Sequence, residues 1–571
     1  MTNLEVAWVL NDIAGLLEIG QDNVFKVRAY QKAARVVRRL NEDLTMLYQE
    51  GRLREVPGIG SNIEAKIKEL LETGQCEYYL ELRRNVPEIL REMVRIPNVG
   101  VKSAKLIYKE LAPDSLDDLQ KLVQERKIRK LSGMGSKTEL SILRGIDLLR
   151  RGSGETPLGV AKSVAEEIVK GMKEIKEINR LEIAGSVRRG KDMVGDVDII
   201  IATDQPIKVG EILARHPQVR EVLALGETKV SVRTWLGIQV DFRLVTDKQF
   251  VTAKHHFTGS KEHNVRLRHI AKEMCLKINE YGVWEDAELI AVDSEKEIYQ
   301  RLGLQYIPPE LREDGGEVEA AASGSLPELV TLNDIKGDLH LHTRWSDGVN
   351  TLEEMAQAAK QRGYQYMAIT DHSRSLKIAG GLSIERLREQ RREIDELNQR
   401  LAPFRIFAGV EADILTDGSL DYPDEMLREM DIVIASVHSR FRMEEDQMTK
   451  RIIKALSNPW VNLLAHPTGR LLGRRPGYAV NINAVLEAAK DEGKGVEINS
   501  SPDRLDLRDE HVRLAKDMGI PIVINTDAHD IVRLGEMAYG VITARRGWLE
   551  AGDVVNAWDR KKVSAWLKGG K

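Results

Sequence analysis

The chain has few cysteines, no long apolar run and no large excess of charge of either sign. Cys76 and Cys275 are its two cysteines among 571 residues, which excludes a disulfide framework and suits a reducing compartment. No apolar stretch is long enough to span a bilayer. The segment from Met1 to Gly15 is broken by Glu5, Asn11 and Asp12 and lacks the charged start and cleavage site of a signal peptide, so a soluble cytoplasmic protein with no membrane partner is expected. With a net charge of -4 and a pI near 6.4, any contact with nucleic acid must come from local basic patches and backbone donors, not from the overall field. The length is too great for one core and predicts several domains.

What is there centres on Gly185-Ser186-Val187-Arg188-Arg189-Gly190-Lys191-Asp192-Met193-Val194-Gly195-Asp196-Val197-Asp198, running into Ile199-Ile200-Ile201. The last part reads as a strand because β-branched apolar residues alternate with aspartates, and residues at i and i+2 share a face. Asp196 and Asp198 then lie side by side and repel when both are ionised, a cost that divalent cations remove. The Gly185-Ser186 turn offers N–H groups and a hydroxyl to phosphate oxygens, and Arg188 and Arg189 add forked donors suited to a triphosphate. Asp241 sits among alternating apolar residues from Ile238 to Val245; if that strand pairs beside the first, three carboxylates converge on a pair of magnesium ions.

Residues 1 to about 150 read as short helices punctuated by Pro and Gly. Arg28, Lys32, Arg35 and Arg39 form one basic stripe. Pro57-Gly58-Ile59-Gly60-Ser61, Pro97-Asn98-Val99-Gly100-Val101 and Ser132-Gly133-Met134-Gly135-Ser136 each precede a helical run, and such turns can hold a DNA phosphate on backbone N–H groups without reading sequence. They resemble helix-hairpin-helix motifs, which makes Gly58, Gly60, Val99, Gly100, Gly133 and Gly135 candidate DNA-binding residues. A break is expected at Gly152-Ser153-Gly154, and a flexible linker over 312–326, where apolar periodicity is missing.

Beyond residue 336, His340, His342, Asp347, His372, Glu411, His438, His466, Asp527 and His529 each follow a short apolar run, with helical segments between the runs. That is the pattern of a β/α barrel with its active site on one face. Histidine mixed with carboxylates suits zinc, manganese or iron better than calcium. Arg440, Arg442, Arg474 and Arg475 follow ligand loops and are candidates to hold a substrate backbone.

Gly185-Ser186, a nine-residue spacer and Asp196-Val197-Asp198 are similar to the nucleotidyltransferase signature of family X DNA polymerases. His255-His256-Phe257-Thr258-Gly259-Ser260, followed by Asn264 and Arg268, resembles that family's thumb turn. The resemblance implies that Asp196, Asp198 and Asp241 hold two magnesium ions, and that Gly185, Ser186, Arg189, Gly195, His256, Phe257, Gly259, Asn264 and Arg268 surround the nucleotide. Phe257 would pack on the sugar, Asn264 meet the minor-groove edge of the base and Arg268 approach the template, while His256 replaces the family's usual tyrosine and leaves sugar discrimination open. The first segment resembles the small lyase domain of the same family, with Lys66 at the Schiff-base position and Tyr30 at a nearby tyrosine; Asn62 stands where another lysine is usual. The C-terminal set resembles the PHP, or polymerase and histidinol phosphatase, domain, whose trinuclear manganese or zinc site would be complete here, with Glu411 bridging two metals.

The expected fold is therefore multidomain: an all-α helix-hairpin-helix region, an α+β nucleotidyltransferase palm with a thumb, and a distorted β/α barrel. Expected boundaries are 1–82 (lyase-like), 83–153 (fingers), 154–246 (palm), 247–311 (thumb), 312–335 (linker) and 336–571 (PHP). The resemblance implies a monomeric, template-directed gap-filling polymerase of base-excision repair. It would act on gapped or nicked DNA with deoxynucleoside triphosphates, and its PHP half would be a 3'-5' exonuclease, with incision at abasic sites or 3'-phosphatase activity also open. An untemplated nucleotidyltransferase shares Gly-Ser and Asp-x-Asp, and a structural PHP domain without chemistry is the other alternative.

Overall fold

A computed structural model describes residues 1–571 apart from 21–22, 39, 41, 97–98, 136–137, 140–141, 144–145, 147–154, 287 and 570–571, and the backbone alone at 4, 38 and 95. The expected break at Gly152-Ser153-Gly154, and Arg39, Pro97, Asn98 and Ser136, lie outside the described residues. The chain divides into two compact units: residues 1–187, 193–258 and 275–294 form one, and residues 188–192, 259–274 and 295–571 the other. Among the described residues no helix is long and apolar enough to cross a membrane.

The first unit begins with helices from Asn3–Gly20 onward. Their repeated turns are superimposable in hydrogen bonding. The N–H of the apolar residue between the turn positions donates three residues back, from Ile59 to Val56 at 3.1 Å, Val99 to Ile96 at 3.0 Å and Met134 to Leu131 at 3.1 Å. Gly58 and Gly133 have φ of +94° and +76°, which glycine adopts without strain. Gly60 and Gly100 then open the helices Ser61–Thr73 and Val101–Leu111.

A five-stranded mixed sheet follows, built from β1 (Arg180–Ile183), β2 (Val197–Ala202), β3 (Val219–Leu225), β4 (Lys229–Thr234) and β5 (Gln239–Val245) in the order β1-β2-β5-β4-β3. Interior strand β2 carries Ile199, Ile200 and Ile201, all fully buried, as expected for a strand covered on both faces. The helices Leu158–Met172 and Phe250–Thr258 pack on it, with Ala184, Ile200, Ala202, Phe250 and Ala253 in one core cluster.

The second unit is dominated by a seven-stranded parallel sheet in sequential order: β6 (Gly337–Asp338), β7 (Tyr366–Ile369), β8 (Arg405–Asp413), β9 (Ile432–Ser436), β10 (Leu463–Leu464), β11 (Gly495–Asn499) and β12 (Ile522–Asn525). Leu341 bridges Ala528 in parallel, so the sheet nearly closes on itself as a barrel. Tyr366, Ala368, Phe407, Ile432, Ile434, Leu463 and Val523 form one buried cluster across the strands. Along β8 the two-residue period carries that face from Phe407 to Glu411.

Residues 312–326 correct the expectation of a flexible linker. Glu317–Ser323 is a helix, and its first residue accepts the N–H groups of Asp314 and Gly315 at 3.0 and 2.7 Å. Arg312 is fully buried, donating to Glu295 at 2.7 Å and to the Ile307 carbonyl at 2.9 Å. Glu317 also meets His263 Nδ1 at 2.6 Å. These partners are distant in sequence, so composition alone cannot reveal them.

Candidate active sites

In the first unit, parallel pairing of β2 and β5 sets Asp198 opposite Asp241, and Asp196, Asp198 and Asp241 offer carboxylate oxygens within 4.8 Å of one another. Gly185 has φ of +65°, and a Cβ there would collide with Asp198 Oδ2, so only glycine lets the turn approach the carboxylate this closely. Burial, then the charges of Asp196 and Asp241, pushes Asp198 up to about 7. Burial and Asp241 also raise Asp196. Burial opposes ionisation of Asp241, but hydrogen bonds from Lys229, Ser231 and Gln239 outweigh it and hold Asp241 below its ordinary value; Lys229 Nζ is 2.6 Å away. Two carboxyls that resist ionisation beside one that does not form a site whose charge is balanced when a divalent cation enters, so the donor set fits magnesium.

The other candidate nucleotide contacts divide between the units. Gly185 and Ser186 open a short helical turn (Gly185–Arg188), and Gly195 has open space around its Cα. His256 and Phe257 lie on the helix Phe250–Thr258, where His256 Nδ1 is 3.8 Å from Glu280 and the Arg243 guanidinium sits 4.4 Å from the Phe257 ring centre. In the second unit, Gly259 with φ of +68° stands so close to Arg189 that a Cβ would be 3.1 Å from its Nη1. Asn264 is buried and Arg268 exposed on the helix Lys261–Glu273. Arg188 is paired with Glu295 at 3.0 Å, and Arg189 with Glu313 at 2.9 Å.

On the helical elements, Lys66 is half-buried, donates to the Asn62 carbonyl at 3.2 Å and lies 4.6 Å over the Tyr78 ring, on which Tyr30 stacks at 6.4 Å. Lys32 of the basic stripe packs its side chain against Gly58. Val99 is buried and Gly100 exposed.

The barrel brings all nine candidate ligands to the C-terminal ends of its strands. His342, Asp347, His372 and His529 form one group with donor atoms within 4.8 Å; His340, His342 and Asp527 form a second, and His372, Glu411 and His438 a third. Glu411 stands between them: its Oε2 faces His372 at 2.7 Å and His340 and His342 at 3.6 Å, while Oε1 faces His466 at 3.1 Å and His438 at 3.3 Å. His340 Nε2 faces the cluster and is buried with no hydrogen-bond partner among the described residues, which fits a nitrogen that ligates a cation. Burial, then the charges of His529 and His372, holds His342 at about 3, the neutral form a metal requires. Burial opposes protonation of His438, but Glu411 and Asp413 outweigh it and push it to about 10.

Sequence reasoning missed the groups that orient these ligands. Fully buried Glu497 meets His340 Nδ1 at 2.7 Å and accepts the His466 N–H at 2.7 Å. Asp413 meets His438 Nδ1 at 2.6 Å. Such carboxylates fix the imidazole tautomer and raise its basicity. The available signal was a carboxylate inside an apolar strand, Val496-Glu497-Ile498. Arg504, also missed, places Nε 4.0 Å from Asp527. Arg475 turns its guanidinium over Phe441 at 4.3 Å and donates to the Gly469 carbonyl at 2.8 Å, while Arg440, Arg442 and Arg474 are exposed or nearly so.

Four family models match the chain: a helix-hairpin-helix domain over 1–76, the DNA polymerase beta palm over 157–259, the DNA polymerase beta thumb over 253–313 and the PHP domain over 338–501. A DNA polymerase/3'-5' exonuclease PolX of Bacillus subtilis is 44% identical over 572 residues, covering 100% of both chains. A probable phosphatase of Caldanaerobacter subterraneus subsp. tengcongensis is 34% identical over 213 residues, 35% of this chain and 79% of its own. One of Thermoanaerobacter is 31% identical over 242 residues, 40% and 94% of the two chains. With the aspartate cluster on the palm sheet and the nine-ligand barrel in one polypeptide, the chain belongs to the bacterial family X DNA polymerases that carry a C-terminal PHP domain.

Proposed function

We propose that this protein is a template-directed, gap-filling DNA polymerase of base-excision repair that also trims 3' ends at its PHP site. The observation that carries this reading is the coexistence of the Asp196, Asp198 and Asp241 cluster with three interlocking ligand groups around Glu411. In this reading residues 1–82 are the lyase-like domain, 83–153 the fingers, 154–246 the palm, 247–311 the thumb and 336–571 the PHP domain, with 312–335 connecting them. The partners are gapped or nicked DNA and deoxynucleoside triphosphates, and the enzyme works as a monomer in the cytoplasm.

Asp196, Asp198 and Asp241 hold magnesium, which when bound favours attack by the primer 3'-hydroxyl and stabilises departing pyrophosphate. Ser186 and the Gly185 backbone meet the triphosphate together with Arg189, and Phe257 and Asn264 meet the sugar and base. Lys229 keeps Asp241 ionised. Gly58, Gly60, Gly100, Gly133 and Gly135 present backbone to DNA phosphates with no base contact.

At the PHP site the nine ligands hold up to three manganese or zinc ions, which when bound lower the pKa of water and neutralise charge on a phosphodiester. Glu497 and Asp413 keep His340 and His438 oriented, and Arg504 offers its charge to the phosphate beside Asp527. The similarity of this half to two probable phosphatases favours removal of a 3'-phosphate as a second activity of the same site.

Primer extension on a gapped duplex and on the same primer without template separates this reading from an untemplated transferase. Insertion of the complementary nucleotide on the gapped substrate alone is expected. Comparable addition without template would contradict it.

A further inference from the structure

Ile378, in the second unit, is 96% exposed, more than any other large apolar side chain among the described residues. A single exposed apolar residue needs no explanation by itself; what sets this one apart is the loop that carries it. It sits on the short turn Lys377–Ala379, at the tip of a loop that leaves the barrel at His372 and returns at Leu382. The loop is closed at its base, where the Leu382 N–H donates to the His372 carbonyl at 2.9 Å. Ala379 and Leu382 are buried, the Tyr422 hydroxyl donates to the Leu382 carbonyl at 2.5 Å, and the Ser375 N–H donates to Asp421 at 2.9 Å. Gly381 lies so close to Ser373 that a Cβ would collide with its carbonyl oxygen.

The same loop is stapled to a second segment that carries a candidate ligand. Arg386 donates to the Gly380 carbonyl at 3.3 Å and to the Trp345 carbonyl at 2.6 Å. Gly380, with φ of +70°, stands against Ser346, whose carbonyl oxygen would be 3.3 Å from a Cβ. Asp347 follows directly, and its carboxylate is 3.6 Å from His372 Nε2. Two residues of chain reach at most roughly 7 Å, so Ile378 stands within about two base-pair steps of Gly380 and the rim of the ligand cluster.

The chemistry of the tip matches a DNA end. From Ser373 to Ile384 the chain carries Arg374 and Lys377 and no carboxylate, and both cations are exposed. An apolar point between exposed cations suits an anionic backbone with apolar base faces. His340, His342 and Glu411 are buried below the rim. A paired 3' end therefore delivers its last phosphodiester to them only after the terminal nucleotide has left its template, and an apolar side chain that enters the stack offsets the cost of that step.

We infer that Ile378 is a wedge: it enters the base stack at a paired 3' end and frees the last nucleotide for the PHP site, so that it governs trimming of duplex ends. The inference rests on the 3' trimming assigned under Proposed function. A merely structural role would lower trimming of every substrate, whereas a wedge is needed only where a base pair must open.

The test uses the full chain with manganese and compares wild type, Ile378→Ala and Ile378→Leu on a 5'-labelled single strand and on the same strand fully paired to a template. The ratio of paired to single-strand trimming should fall on the order of tenfold in Ile378→Ala. Ile378→Leu keeps the apolar bulk and should stay within about twofold of wild type. A second readout needs no metal. In EDTA, 2-aminopurine as the last base of the paired strand should brighten as wild type unstacks it, and brighten several-fold less with Ile378→Ala. An unchanged ratio in Ile378→Ala overturns the inference, as do an equal fall on both substrates and equal brightening by the two proteins. Absence of trimming of the single strand by wild type would instead overturn the functional reading, and the wedge with it.

Discussion

Asp198 is the most strongly shifted carboxyl of the aspartate cluster on the first unit's sheet. It is half-buried on β2 between Asp196 and Asp241, and its carboxyl is raised from 3.8 to about 7. The folded, metal-free chain therefore holds this proton over a range where an unfolded chain has released it, so between those values the metal-free fold loses stability as pH rises. In the proposed function, magnesium held by the three aspartates would have to displace the same proton below about pH 7. At limiting magnesium, insertion should fall roughly tenfold for each pH unit below that point, and saturating magnesium should abolish the dependence. Magnesium titrations of primer extension at pH 6 and pH 7.5 check this, and identical midpoints would contradict it.

At the scale of elements, the helix Ser61–Thr73 sets Lys66 against Tyr78, with Lys26 Nζ over the same ring at 5.2 Å. Schiff-base chemistry requires a lysine amine at such a position. Borohydride should trap the wild type on a 5'-deoxyribose-phosphate end, and Lys66→Ala should give roughly tenfold less adduct; no adduct from either protein would remove lyase chemistry from the account. The barrel was legible because each candidate ligand follows an apolar strand, and the palm because Asp196, Asp198 and Asp241 interrupt β-branched runs. Glu497 and Asp413 were not, since a carboxylate inside a strand does not reveal which histidine it will meet. The helix Glu317–Ser323 was missed because contacts with His263 and, through Arg312, with Glu295 outweigh its glycine-rich flank. The attachment of residues 188–192 to the second unit is likewise a tertiary fact, set by Ile542 and Arg546.

At the scale of the whole molecule, a chain of net charge -4 has no global attraction for DNA, and in the proposed function repeated glycine turns and local arginines take that role. One polypeptide carries two sets of candidate metal-binding side chains, three carboxylates on a mixed sheet and nine candidate ligands at a barrel mouth. The two chemistries oppose each other, one lengthening and the other shortening the same strand end. The most direct measurement uses a gapped duplex with a 5'-labelled primer and compares wild type, His340→Ala and Asp241→Ala. With manganese and no nucleotides, wild type and Asp241→Ala should shorten the primer stepwise while His340→Ala leaves it intact. With magnesium and nucleotides, wild type and His340→Ala should extend it while Asp241→Ala does not. Loss of both activities from either single substitution, or shortening by His340→Ala equal to wild type, would contradict the two-site account.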